Sequence, residues 1–65
     1  MGLPVYFVYS GEIIADISNA VIAPVVGDRV YIGDSTVTAV GYTVKAREFW
    51  LKQDKARVEV LLEKI

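Results

Sequence analysis

The sequence contains neither cysteine nor histidine. Without cysteine no disulfide can brace the fold, and without either residue the usual ligands of a structural zinc site are missing. The same gap removes the commonest general base and the thiol nucleophile. There is no excess of positive charge: seven basic residues stand against eight acidic ones, a net −1, whereas a dedicated nucleic-acid-binding domain reads strongly basic. No apolar stretch approaches the ~20 residues of a membrane helix. The run Leu3–Tyr9 has no basic flank before it and is interrupted by Pro4, so it does not read as a secretory signal. These absences set the expectation of a cytoplasmic protein that is not an enzyme and carries no cofactor, no metal and no membrane contact.

What is present is apolar. Sixty-five residues make one domain, 1–65, and a chain of that size buries only about 60% of the surface its unfolded form exposes. Below about 70 residues natural domains commonly add a staple. With disulfides and metals excluded, a dense core or self-association must serve. The hydrophobic share of 54% exceeds the roughly 45–50% of ordinary globular chains. A homo-oligomer is therefore expected.

The pattern is that of an all-β protein. Gly11, Pro24, Gly27-Asp28, Gly33-Asp34-Ser35, Gly41 and Lys52-Gln53-Asp54-Lys55 punctuate short runs rich in Val, Ile, Thr and Tyr, the signature of a sandwich or barrel. The reading is a small five-stranded barrel, SH3-like or OB-like. Pro4–Tyr9 forms the first strand, apolar on both faces, which predicts cover on both sides by the barrel interior and a neighbouring subunit. Ser10-Gly11 turns the chain into a second strand, Glu12–Ile17. Ala20–Ala23 fits either one helical turn or a short strand, closed by Pro24. A turn at Gly27-Asp28 launches a strand with Val30 and Ile32 inward and Arg29 and Tyr31 outward. Thr36–Leu51 reads as one long strand bent at Gly41. Ala56–Lys64 alternates, with Val58, Val60 and Leu62 inward.

The long strand carries a phase conflict. Tyr42, Val44 and Ala46 share one face, yet Phe49 and Leu51 have the opposite parity. One extra residue near Arg47-Glu48 resolves it: a bulge swaps the faces, buries Phe49 and Leu51, and turns Trp50 outward. The alternative places Trp50 in the core beside a buried Glu48, which is costly for an unpaired carboxylate.

Charge is unevenly spread. Residues 1–34 carry Glu12, Asp16, Asp28 and Asp34 against Arg29, a net −3, and residues 35–65 sum to +2. Such a division reads either as ordinary solvated faces or as an acidic and a basic side suited to a charged partner or a second copy. Glu12 and Asp16 share a strand face without an apolar surround, so they read as solvated rather than catalytic. The glycines make no phosphate-cradling pattern.

The stretch Pro24–Ile32, the Arg47–Trp50–Leu51 element and the ending Val58–Leu61 together resemble small uncharacterised β-barrel proteins found on phages and plasmids. The resemblance covers residues 24–62 and rests on turn and core positions. It implies a mobile-element setting and an accessory role in binding another macromolecule, and it transfers no catalytic residue.

Two functional readings follow. In the first, the chain is a protein–protein interaction or self-assembly module. Tyr6 and Tyr9 would supply apolar contact from the first strand, Trp50 an exposed anchor, and Lys45 and Arg47 charge complementary to an acidic partner. In the second, the basic and aromatic residues around Phe49 and Trp50 form a nucleic-acid face that tracks a backbone and stacks a base. Glu48, Asp54, Glu59 and Glu63, interspersed among the same residues, weigh against the second.

Overall fold

Ser10 and Gly11 take φ of 54° and 81°, the pair of positive values that a two-residue hairpin turn of the strand-matching kind requires. They join β1 (Leu3–Tyr9) to β2 (Glu12–Ala20), with Tyr9 and Glu12 paired across the turn. In this computed structural model, which describes residues 2–65, three further strands follow: β3 (Arg29–Ile32), β4 (Val40–Lys52) and β5 (Lys55–Lys64). They form one sheet in the order β2-β1-β5-β4-β3, in which β1 and β5 are parallel and the other neighbours antiparallel. The sheet is strongly curled into a half-barrel, the architecture of a small five-stranded barrel left open along one side. β2 and β3 are its two edges.

The core lies in the trough of the curl. Val5 and Phe7 of β1, Tyr42 and Val44 of β4, and Val58, Val60 and Leu62 of β5 are buried. Their alternation follows the strand period of two. Val30 and Ile32 pack against this cluster as their parity predicts, and Arg29 and Tyr31 point away. No charged or polar side chain is buried among the described residues.

The turn before β3 is built by Val25 to Asp28. The Asp28 amide donates to the Val25 carbonyl at 3.0 Å, and Gly27 sits at φ 97°, as the third residue of a type II turn must. The Asp28 carboxylate also accepts from the Val25 amide at 3.0 Å.

Three expectations are corrected. No helical turn forms near residues 18–23: Ser18–Ala20 continue β2, and residues 21–26 cross irregularly from one edge of the sheet towards the other. β-branched Val21 and Ile22, followed closely by Pro24, offer little to a helix. Nor does the long strand begin at Thr36. Residues 33–39 form a tight turn in which the Ala39 amide donates to the Ser35 carbonyl at 2.9 Å, and β4 starts at Val40. Gly33 is required there. A Cβ on it would lie 2.6 Å from the Ala39 Cα and 2.9 Å from its nitrogen, both backbone atoms. Gly33→Ala is expected to cost about 1–3 kcal/mol through forced backbone displacement, read as a lower thermal midpoint. An unchanged midpoint would contradict this close approach.

The third correction concerns the bulge. It exists, but at Lys45: Val44 pairs with Leu62 and Ala46 with Leu61, leaving Lys45 without a partner. The face swap follows, so Arg47, Phe49 and Leu51 now share the trough side with Val60, Val58 and Ala56. Phe49 and Leu51 are nevertheless exposed, at 57% and 77%. Facing the core side does not bury them, because β3 flanks β4 only as far as Thr43 and β1 pairs with β5 no farther than Val58.

Candidate interaction surface

β4 and β5 have 13 and 10 residues, whereas β1 and β3 have seven and four. β3 pairs with β4 only from Val40 to Thr43, and β1 pairs with β5 only from Val58 to Leu62. Beyond the Phe49–Val58 pair, Trp50 to Arg57 therefore project as a two-stranded arm, and the molecule measures 40 × 20 × 19 Å. Gln53, at φ 53°, turns its tip.

The arm has two apolar faces. On the trough side, Phe49 lies beside Val58 at the root of the arm and Leu51 beside Ala56 on the arm itself, and the Arg47 guanidinium lies 5.3 Å from the centre of the Phe49 ring. Opposite Arg47 and Phe49 across the trough stand Val21 and Ile22, each 85% exposed. Between these walls lies an open groove of ≈ 440 Å³, floored by Val5 and Val58.

On the convex side, Arg57 lies between two rings, 5.7 Å from the centre of Tyr6 and 5.7 Å from that of Trp50. It also pairs with Glu59 at 2.8 Å. Tyr6 belongs to β1, Arg57 to β5 and Trp50 to β4, so this stack braces the root of the arm to the body of the sheet. A second recess of ≈ 630 Å³ runs from Pro4 past Trp50 to Lys52 and Lys55.

The five residues singled out in the sequence thus fall into different places. Tyr6 and Trp50 meet through Arg57 on the convex face. Arg47 stands with Phe49 on the trough side. Lys45 is the unpaired bulge residue. Tyr9 turns inward, its ring 5.2 Å from that of Tyr42 and packed on the core. Residues not anticipated as surface are Phe49, Leu51, Val21 and Ile22. The signal for the first two was length: a strand of this reach cannot be covered by neighbours of four to seven residues.

Trp50 is half-exposed, at 50%. Trp50→Ala is expected to lower folding stability by about 1 kcal/mol, the scale of one cation–π contact, against the 3–5 kcal/mol typical of a buried aromatic. Urea denaturation under dilute conditions distinguishes these values.

Electrostatically the β4–β5 hairpin and the rest of the chain differ in sign. From Lys45 to Arg57 the chain carries Lys45, Arg47, Lys52, Lys55 and Arg57 against Glu48 and Asp54, a net +3. The remaining residues sum to −4, and the edge strand β2 carries Glu12 and Asp16 with no cation. No protein family, curated protein or solved structure matches the chain.

Proposed function

We propose that this chain is a non-enzymatic interaction module that works as a homo-oligomer, in the cytoplasm and in the mobile-element setting that its resemblance to phage and plasmid barrels suggests. The observation that carries this reading is uncovered apolar surface. The folded chain exposes 4953 Å², whereas a compact monomer of 7.2 kDa is expected to expose about 4,100 Å². The difference reflects an open trough and a projecting arm in a molecule of 40 × 20 × 19 Å. Exposed apolar side chains collect there: Leu3, Val21, Ile22 and Phe49 are all exposed and line a single groove. A cluster of that size on a lone domain favours association.

A nucleic-acid face is the competing reading. Against it, Arg57 is held by Glu59 and two rings of its own chain, which leaves it poorly placed to reach phosphate. The deciding experiment is size-exclusion chromatography with light scattering on protein purified at low salt, with absorbance read at nucleic-acid and protein wavelengths together. A multimer free of nucleic acid is expected. A monomer that carries nucleic acid and releases it as salt is raised would overturn the proposal, since phosphate contacts weaken steeply with salt and apolar ones do not.

A further inference from the structure

We infer that the outer edge of β4 pairs, antiparallel, with the same edge of a second copy about a two-fold axis at Trp50. This rests on the self-association proposed above and specifies its surfaces. The edge is free. β3 lies along β4 only as far as Thr43, and the Gly27 amide and Asp28 carbonyl take up the Val44 backbone. Beyond Val44 no backbone hydrogen bond is made on that side of β4 among the described residues, yet the strand continues to Lys52. An open strand edge is a ready template for another strand. After the bulge at Lys45 this one is regular, pairing with β5 without a break from Ala46 to Lys52, and it contains no proline. The outer edge of β2 is also free, but its only charges are Glu12 and Asp16, so it has no opposite sign to offer a copy of itself.

The side chains point to a second copy as the occupant. Residues directly opposite in an antiparallel pair share one face of the sheet. A strand that pairs with its own copy therefore centres on a residue, which meets itself across the axis. Centred on Trp50, Glu48 faces the second copy's Lys52, and Phe49 faces the second copy's Leu51. The axis repeats both pairings. Centred on Arg47 or Glu48, the strand sets like charges together. Centred on Phe49, it sets Glu48 against Trp50 and Arg47 against Leu51, so no charge meets its opposite. Centred on Leu51, it reaches the turn after one residue on each side. The Trp50 centre alone matches opposite charges and sets apolar against apolar.

The hairpin itself supports this choice. Across it Glu48 lies opposite Glu59, and Lys52 opposite Lys55. Like charges directly opposite on a sheet are unfavourable. The second copy supplies on the free side of β4 the sign that β5 does not supply on the other. A uniformly acidic partner would suit Lys52 and be repelled by Glu48, whereas a copy of the same edge carries both in reversed order. Phe49 and Leu51 of the two copies then form one cluster on the trough side of a continuous sheet. Each chain has one such edge, so the assembly closes as a dimer.

The test is a charge swap in the whole chain. Glu48→Lys and Lys52→Glu, each alone, set like charges together at two places in the dimer and are expected to weaken association about tenfold by sedimentation equilibrium. The double variant, and an equimolar mixture of the two single ones, restore opposite pairs and are expected to recover the wild-type Kd. Each single variant also gains an opposite charge across its own hairpin, so its thermal midpoint when dilute should not fall, and dissociation is separated from unfolding. Asp34→Lys and Lys64→Glu control for net charge and should leave Kd unchanged. Amide hydrogen exchange reads the backbone: alternate amides between Arg47 and Gln53 are expected to slow as concentration rises through Kd. A wild-type dimer that neither reversal weakens, a swap that fails to recover it, or exchange in these amides that does not respond to concentration overturns the pairing and leaves self-association standing. A monomeric wild type at near-millimolar concentration, or one that carries nucleic acid instead, overturns both.

Discussion

Replacing Leu62 by alanine is expected to unfold the isolated protomer. Leu62 is 2% exposed and lies in the middle of a core of only seven buried side chains among the described residues, opposite Val44 on one side and beside Tyr9 on the other. Leu→Ala at such a site costs about 2–5 kcal/mol. A core in a chain of this length supplies about 3–5 kcal/mol in total. The site also has little means of closing over the void. The nearest spare apolar side chains sit on the arm, beyond the bulge at Lys45, and cannot slide into the trough without breaking the β4–β5 register. The circular dichroism of dilute Leu62→Ala at 25 °C should therefore lack a cooperative transition. Assembly binds the folded form only, so raising the protein concentration should partly restore one. If the variant instead melts cooperatively within about 5 °C of the wild type, the stability does not reside in this core, because 1 kcal/mol already moves the midpoint of a 60–100-residue domain by about 4–8 °C.

Much of this core was legible because the physics that selects it is local. Val58, Val60 and Leu62 alternate with charged neighbours, and Val30 and Ile32 alternate with Arg29 and Tyr31, so parity alone assigns their faces. Ser10-Gly11 and Gly27-Asp28 announce turns because few residues tolerate positive φ. The bulge was visible as a conflict of phase between Val44 and Phe49, yet its position was not. Ala46 is small enough to sit on either face, so the sequence could not distinguish a slip at Lys45 from one at Arg47. Whether residues 18–23 make a helical turn or extend was decided by context: β2 runs on to Ala20 because Leu3 lies opposite to pair with it, a non-local fact.

The surface was harder to read. Hydrophobicity placed Phe49 and Leu51 inside, and parity agreed, but parity reports which side of a sheet a residue faces and not whether anything covers that side. Cover depends on the reach of β1 and β3, which end before the arm begins. Likewise Tyr6 and Tyr9 looked equivalent as aromatic residues of one strand. Their odd spacing in fact divides them between a convex brace with Arg57 and an inward contact with Tyr42. Closure of the barrel was not legible at all, because it turns on whether the crossing segment 21–26 lets β2 meet β3.

That open side leads to the second large effect, the double substitution Phe49→Thr with Leu51→Thr. Threonine keeps strand propensity while removing apolar surface, and neither native side chain is buried in the protomer. Folding stability of the dilute monomer should thus change by less than about 1 kcal/mol. Association should change far more. Fully burying such a side chain is worth about 1.5–3 kcal/mol, and roughly half of each remains to be buried on assembly. With both arms of a two-fold pair altered, four side chains are lost, a cost of about 4 kcal/mol or on the order of a thousandfold in Kd. Sedimentation equilibrium across a concentration series measures this directly. A lower stability with unchanged association would place Phe49 and Leu51 in the protomer's own fold. A monomer of native stability would instead show that these two residues are kept apolar for contact with a second copy, and that what looks like an unfinished core in one chain is completed by the next.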